Sequence, residues 1–136
     1  MGAWGYGCLE NDTALDFIGY LENYKGKEPS LKKILREMEY DAEYVDSDVD
    51  AEILALAAVI LNQEKIIEFT EITEEVPYIP FAKDDIKVLI AQIEDILASS
   101  DSHELYELWE EAEKEDFDEW KQEVEDLAEA LSDLLK

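Results

Sequence analysis

The stretch from Val49 to Gln63 is apolar on almost every side and constrains the fold more than any other part of the chain. Ile53, Leu54, Leu56, Val59, Ile60 and Leu61 are interleaved with Ala51, Ala55, Ala57 and Ala58, with no proline or glycine to interrupt them. The composition and spacing predict a helix, and a helix without a polar face must be enclosed by other elements. Its small alanines let neighbours approach closely. The chain must therefore supply several amphipathic partners around one central rod.

It does so. Apolar residues recur at helical spacing nearly everywhere. A first helix is predicted from about Asp12 to Tyr24, with Ala14, Leu15, Phe17, Ile18 and Leu21 on one stripe. A second follows Pro29-Ser30, with Ser30 as cap and Leu31, Ile34, Leu35 and Met38 on one face. Tyr40 to Asp48 reads as a polar linker, and Ser47 with Asp50 is spaced as a capping box for the central helix. Lys65 to Pro80 carries β-branched and aromatic residues that could extend briefly, but Pro77 and Pro80 make it an irregular crossover, at about 65–82. A fourth helix, about Asp84 to Ser99, aligns Ile86, Leu89, Ile90, Ile93, Ile96 and Leu97. Capping boxes at Asp101/Glu104 and Asp116/Glu119 predict the starts of two more, the last running through Trp120, Val124, Leu127 and Leu131. The expected fold is all-α: a single domain over 1–136, a bundle of about six helices with a glycine/aromatic segment, 1–10, packed on it.

The opening block, Met1-Gly-Ala-Trp-Gly-Tyr-Gly-Cys-Leu-Glu-Asn-Asp-Thr-Ala-Leu-Asp16, alternates glycines with large aromatics and then starts a helix. Gly2, Gly5 and Gly7 are expected to adopt backbone angles closed to other residues, folding the chain around Trp4 and Tyr6. Asn11 reads as the N-cap, with Asp12 in the first turn, where the helix dipole favours negative charge. The block resembles the start of an uncharacterised family of small bacterial proteins that begin Gly-Ala-Trp-Gly and continue Glu-Asn-Asp-x-Ala-x-Asp. Gly2, Trp4, Gly5, Gly7, Asn11, Asp12 and Asp16 carry that resemblance. It extends to the acidic linker and alanine-rich helix at Asp46 to Gln63, and to Ser102 to Ala112 with Trp120. The family carries a domain of unknown function, so the resemblance implies a fold unit and no chemistry. The motif is expected to be structural, with Trp4 buried as a plug.

Charge decides which partners are admissible. Thirty-seven acids face 11 lysines and arginines, Arg36 being the one arginine, for a net charge of −26. Such a surface repels phosphates, so nucleic acid and anionic membranes are disfavoured partners, and basic protein surfaces are favoured. Cys8 is the sole cysteine, so no internal disulfide can form. Ile53 to Leu61 is too short an apolar run to span a bilayer, and no signal peptide is expected at the N-terminus. A cytoplasmic location is the expectation.

Familiar chemical motifs fail on residue identity. Asp46, Asp48 and Asp50 are spaced like the first ligands of a calcium loop, but Ala51 and Ala57 stand where such a loop needs glycine and glutamate. Capping explains these acids better. His103, the one histidine, has no second histidine a turn away and no glutamate at Ser100, so neither a zinc nor a di-iron pair is formed. It is expected on the surface, in a first helical turn. A Cys8 nucleophile would sit in strongly negative surroundings that disfavour a thiolate. The glycines lack the Gly-Lys-Ser/Thr of a phosphate loop. Carboxylates are too abundant for any pair to point to glycoside hydrolysis. No catalytic, cofactor-binding or metal-binding residue is assigned, and no cofactor is expected.

The acidic C-terminal region holds the most functional content. Glu107, Glu110, Glu111, Glu113, Asp116, Asp118 and Glu119 crowd two adjacent helices at spacings where like charges cost a few tenths of a kcal/mol per pair. With Trp109 or Tyr106 as exposed aromatic anchors, they form the candidate partner-binding face. The leading expectation is a small, acidic, non-enzymatic protein-binding module, immunity- or antitoxin-like, that masks a basic partner surface. The alternatives are a helical-bundle enzyme with a carboxylate-bound metal, which needs inward-facing acids, and a structural protein without a specific partner.

Overall fold

The computed structural model describes residues 7–24, 30–38, 47–98 and 103–135. They form six helices: α1 (Asp12–Glu22), α2 (Leu31–Glu37), α3 (Ser47–Gln63), α4 (Lys83–Ala98), α5 (Glu104–Glu110) and α6 (Lys114–Asp133). The fold is an all-α single domain, as the periodicity requires.

The central rod is where the sequence puts it. In α3 every residue from Val49 to Leu61 except Glu52 is buried. The helix packs against α1, α4, α5 and α6, while α4 and α6 lie against each other. The outer helices bury one stripe each: Ala14, Phe17, Ile18 and Leu21 in α1, Ile86, Leu89, Ile90, Ile93 and Ile96 in α4, and Trp120, Val124, Leu127, Ala128 and Leu131 in α6.

Two predicted caps are formed. The Asn11 side chain accepts from the Ala14 N–H at 2.8 Å, and the Ser30 hydroxyl oxygen accepts from the Lys33 N–H at 3.2 Å. All three predicted capping boxes are corrected, Ser47/Asp50 because Ser47 already lies inside α3. The start of α5 is His103 rather than Asp101, which lies outside the described residues, and Glu104 reaches across to accept from the Ser47 N–H at 2.8 Å. Glu104 thus supplies an acceptor to the N-terminus of α3, and this hydrogen bond holds its carboxyl below the usual range. Helix α6 begins at Lys114, three residues earlier than the Asp116/Glu119 spacing predicts, with Glu113 at the cap position and no side-chain cap bond.

The crossover between α3 and α4 has no regular structure, yet its backbone is paired. Lys65 adopts φ 60°, and the Lys65 and Ile66 N–H groups donate to the Asn62 and Leu61 carbonyls at 3.1 and 2.9 Å, closing α3 with a left-handed turn. Gln63 then clamps buried Ile79 at both backbone groups, at 2.8 and 2.9 Å, and Asn62 accepts from the Phe69 N–H at 2.9 Å. The Leu31 N–H donates to the Pro80 carbonyl at 2.9 Å, which attaches α2 to the end of the crossover.

Candidate functional site

Sequence reasoning puts His103 on the surface; the structure buries it completely. Its side chain is 0% exposed and stands between two carboxylates from different helices. Nδ1 is 2.9 Å from Asp50 Oδ1 on α3, and Nε2 is 2.8 Å from Asp95 Oδ2 on α4. A neutral imidazole donates from one nitrogen only, and an ionised carboxylate donates from none. The two contacts together therefore need one more proton than a neutral ring and two ionised carboxylates hold. Asp50 is 0% exposed, whereas the Asp95 side chain is 51% exposed. The arrangement locks α3, α4 and the start of α5 together. Asp50, read from sequence as half of a capping box, is a buried partner of the ring instead.

Chemically the lock is closed. The two carboxylates occupy opposite edges of the ring, so they do not converge on a common point, and a metal would have to displace the imidazole. Among the described residues no cluster of three or more histidine, cysteine or acidic side chains is arranged to hold a metal ion. Cys8 is likewise enclosed: its N–H donates to Glu123 Oε1 at 3.1 Å, and burial, with the nearby Glu123 carboxylate, pushes its thiol pKa far up. A neutral, buried thiol is a poor nucleophile.

The open geometry lies beside the N-terminal motif. A cleft of about 330 Å³ is lined by Gly7, Cys8, Asn11, Asp12 and Thr13, by Ser47, Asp48, Ala51 and Leu54 of α3, by Leu105, Leu108 and Trp109 of α5, and by Trp120 of α6. Trp109 and Trp120 stack with ring centroids 6.0 Å apart and planes at 11°. Tyr106 meets Phe117 and Trp120 edge to face, and Phe117 stacks on Trp120. Asp12 and Asp48 are exposed at the cleft. The Thr13 hydroxyl donates to Asp48 Oδ1 at 3.1 Å, tying α1 to α3. Both residues also border a second, shallower hollow lined by Asp16, Phe17, Tyr20, Glu37 and Glu52.

The motif residues fall on this cleft only in part. Asn11 and Asp12 line it, Asp16 lines the second hollow, and Gly2, Trp4 and Gly5 lie outside the described residues. Gly7 does not have the left-handed backbone expected of it. A side chain there would run into the Glu10 carboxylate, so glycine supplies room in the turn closed by the Glu10 N–H and the Gly7 carbonyl at 3.0 Å.

Of the predicted partner face, Glu110, Glu111, Glu113, Asp116, Asp118 and Glu119 are exposed, and Glu107 is half-buried. Trp109 is corrected: at 8% exposure it belongs to the core and the cleft wall, because α6 lays Trp120 flat against it. Asp50, Asp95 and His103 escape sequence reasoning since their juxtaposition depends on three helices packing. The available signal is Asp50, which with Glu52 interrupts the apolar run of α3.

These features define a small all-helical bundle with a carboxylate–imidazole–carboxylate lock inside and an acid-rimmed aromatic cleft outside. The chain belongs to the family described as Domain of unknown function (DUF4259), which matches residues 2–123. That span includes the lock and the whole cleft and ends within α6. No curated protein and no solved structure matches the chain. Among the described residues no helix is long and apolar enough to cross a membrane.

Proposed function

We propose that the protein is a non-enzymatic binding module of the cytoplasm that docks on a basic partner protein and masks its positive surface, as an immunity protein or antitoxin does. The observation that carries this reading is the outward, exposed set of acids around the α5–α6 turn, Glu110 to Glu119, on a chain of net charge −26. The lysines nearby neutralise little of it: Lys114 reaches Asp118 at 3.3 Å, and Lys121 lies over the Phe117 ring at 5.5 Å. Exposed pairs of this kind are worth little in water. A field of one sign speeds encounter with a partner of the opposite sign and excludes phosphate polymers.

The test is ionic strength. Partner captured from the native cell is titrated against the purified protein at rising sodium chloride. Affinity is expected to fall by about tenfold or more between low and high salt, chiefly through the association rate. Affinity indifferent to salt refutes the reading.

A further inference from the structure

We propose that the cleft at the first turns of α1 and α3 receives a single arginine side chain from the basic partner, an inference that rests on the docking reading above and names the chemistry of one contact within it. At about 330 Å³ the cleft lies at the small end of ligand pockets, with room for one long side chain and not for a folded segment. Its inner wall is the parallel Trp109–Trp120 pair with Leu54, and its rim carries Asp12 and Asp48. Among the described residues no lysine, arginine or histidine lines it.

The sign at the rim follows from magnitudes. Two helix N-termini meet there, each contributing about half a positive charge, against two full carboxylate charges, so the rim is net negative by roughly one charge. An anion is therefore repelled. An apolar guest would strip water from two carboxylates without pairing them. A cation satisfies both the rim and the aromatic wall, and the same aromatic cluster already holds one, Lys121 over Phe117, which itself stacks on Trp120. Guanidinium suits the site better than ammonium: it is planar, gives up its hydration more easily and pairs two-pronged with carboxylates. Thr13 fixes the Asp48 carboxylate in place for such a pair. A second copy of this chain is a poor occupant, since it offers only Arg36 and brings a like charge of −26.

Calorimetry on the full chain with tetra-arginine amide and tetra-lysine amide tests the proposal. Ala51→Leu fills the cleft without changing charge; Asp12→Asn with Asp48→Asn neutralises the rim; Glu110→Gln with Glu111→Gln removes equal charge elsewhere. Each variant is first checked for wild-type melting, with Ala51→Val replacing Ala51→Leu should the larger side chain unfold the bundle. The arginine peptide should bind at least about fivefold tighter than the lysine peptide. The cleft and rim variants should each weaken it about tenfold, and the Glu110/Glu111 pair less than about threefold. Equal affinity for both peptides, or wild-type affinity in the cleft-filled variant, overturns the arginine receptor. Should the Glu110/Glu111 pair lose most while the cleft variant loses nothing, the receptor falls and acidic docking stands. Binding indifferent to salt removes both.

Discussion

Replacing His103 by alanine should be the most damaging single polar substitution in the molecule. Asp50 is wholly buried on the apolar central helix and faces His103 Nδ1 at 2.9 Å. Removing the ring leaves that carboxylate without its imidazole partner in a core that cannot hydrate it. Breaking a buried ionic pair from one side costs about 3–5 kcal/mol. For a chain of 136 residues each kcal/mol moves Tm by about 3–5 °C, so a fall of roughly 10–20 °C is expected. The Asp95 side chain is 51% exposed, and water can replace the ring there; Asp95→Asn should cost less than about 1 kcal/mol. The decisive variant removes both buried partners, Asp50→Leu with His103→Leu. With no stranded charge it should be more stable than His103→Ala alone, because exchanging a buried pair for apolar groups is often close to neutral. Thermal melts by circular dichroism, supported by urea titrations, read these together with the singles Asp50→Leu and His103→Leu, which complete a double-mutant cycle. A double variant that costs the sum of its singles, or His103→Ala no worse than Asp95→Asn, refutes the account of the lock.

Lys65→Gly should stabilise the protein by up to about 1 kcal/mol, because φ 60° strains any residue with a Cβ; a loss in urea midpoint would show the turn is held otherwise. Iodoacetamide should leave Cys8 unmodified in the native protein and label it fully in urea, since the thiol is buried and its pKa raised; rapid native labelling, read by intact mass, contradicts the packing. Burial also raises the Glu123 carboxyl above its usual 4.5, so between that value and the raised one the folded state binds more proton there than the unfolded chain. That contribution is present below 4.5 and is lost as pH rises through the raised value. Glu123→Gln should therefore gain stability relative to wild type between pH 4 and pH 7 in paired melts, and a constant difference would refute the shift.

What could be read from residue order alone was set by local physics. The burial of α3 follows from Ala51 to Leu61 without knowing its neighbours, and Asn11 and Ser30 cap their own helices within three residues. Apart from the start of α6 and the Gly7 backbone, the failures involve partners distant in sequence. Glu104 has the spacing of a local capping box, yet its carboxylate serves Ser47, 57 positions away. His103 resembles any polar residue at a helix start until α3 and α4 bring Asp50 and Asp95 to its two nitrogens. Trp109 belongs to a short acidic helix that looks solvent-facing, and only the approach of Trp120 encloses it. The cleft is partly legible, since the motif supplies Gly7, Asn11 and Asp12, but Thr13 has no signature and Asp48 reads only as a capping acid before α1 meets α3.

Helix α5 has seven residues, too few to persist by themselves in water. Its order is lent by α3, through His103 to Asp50 and through Glu104 to Ser47. The loan runs both ways, for α3 carries a buried carboxylate in its greasiest stretch to which the later segment brings an imidazole. A chain severed after Ala98 would thus leave each piece short: one with a buried carboxylate that has lost its imidazole, the other with a helix too brief to wind unaided. Halves mixed together should reassemble where neither folds, which makes this bundle a natural candidate for splitting into two mutually dependent fragments.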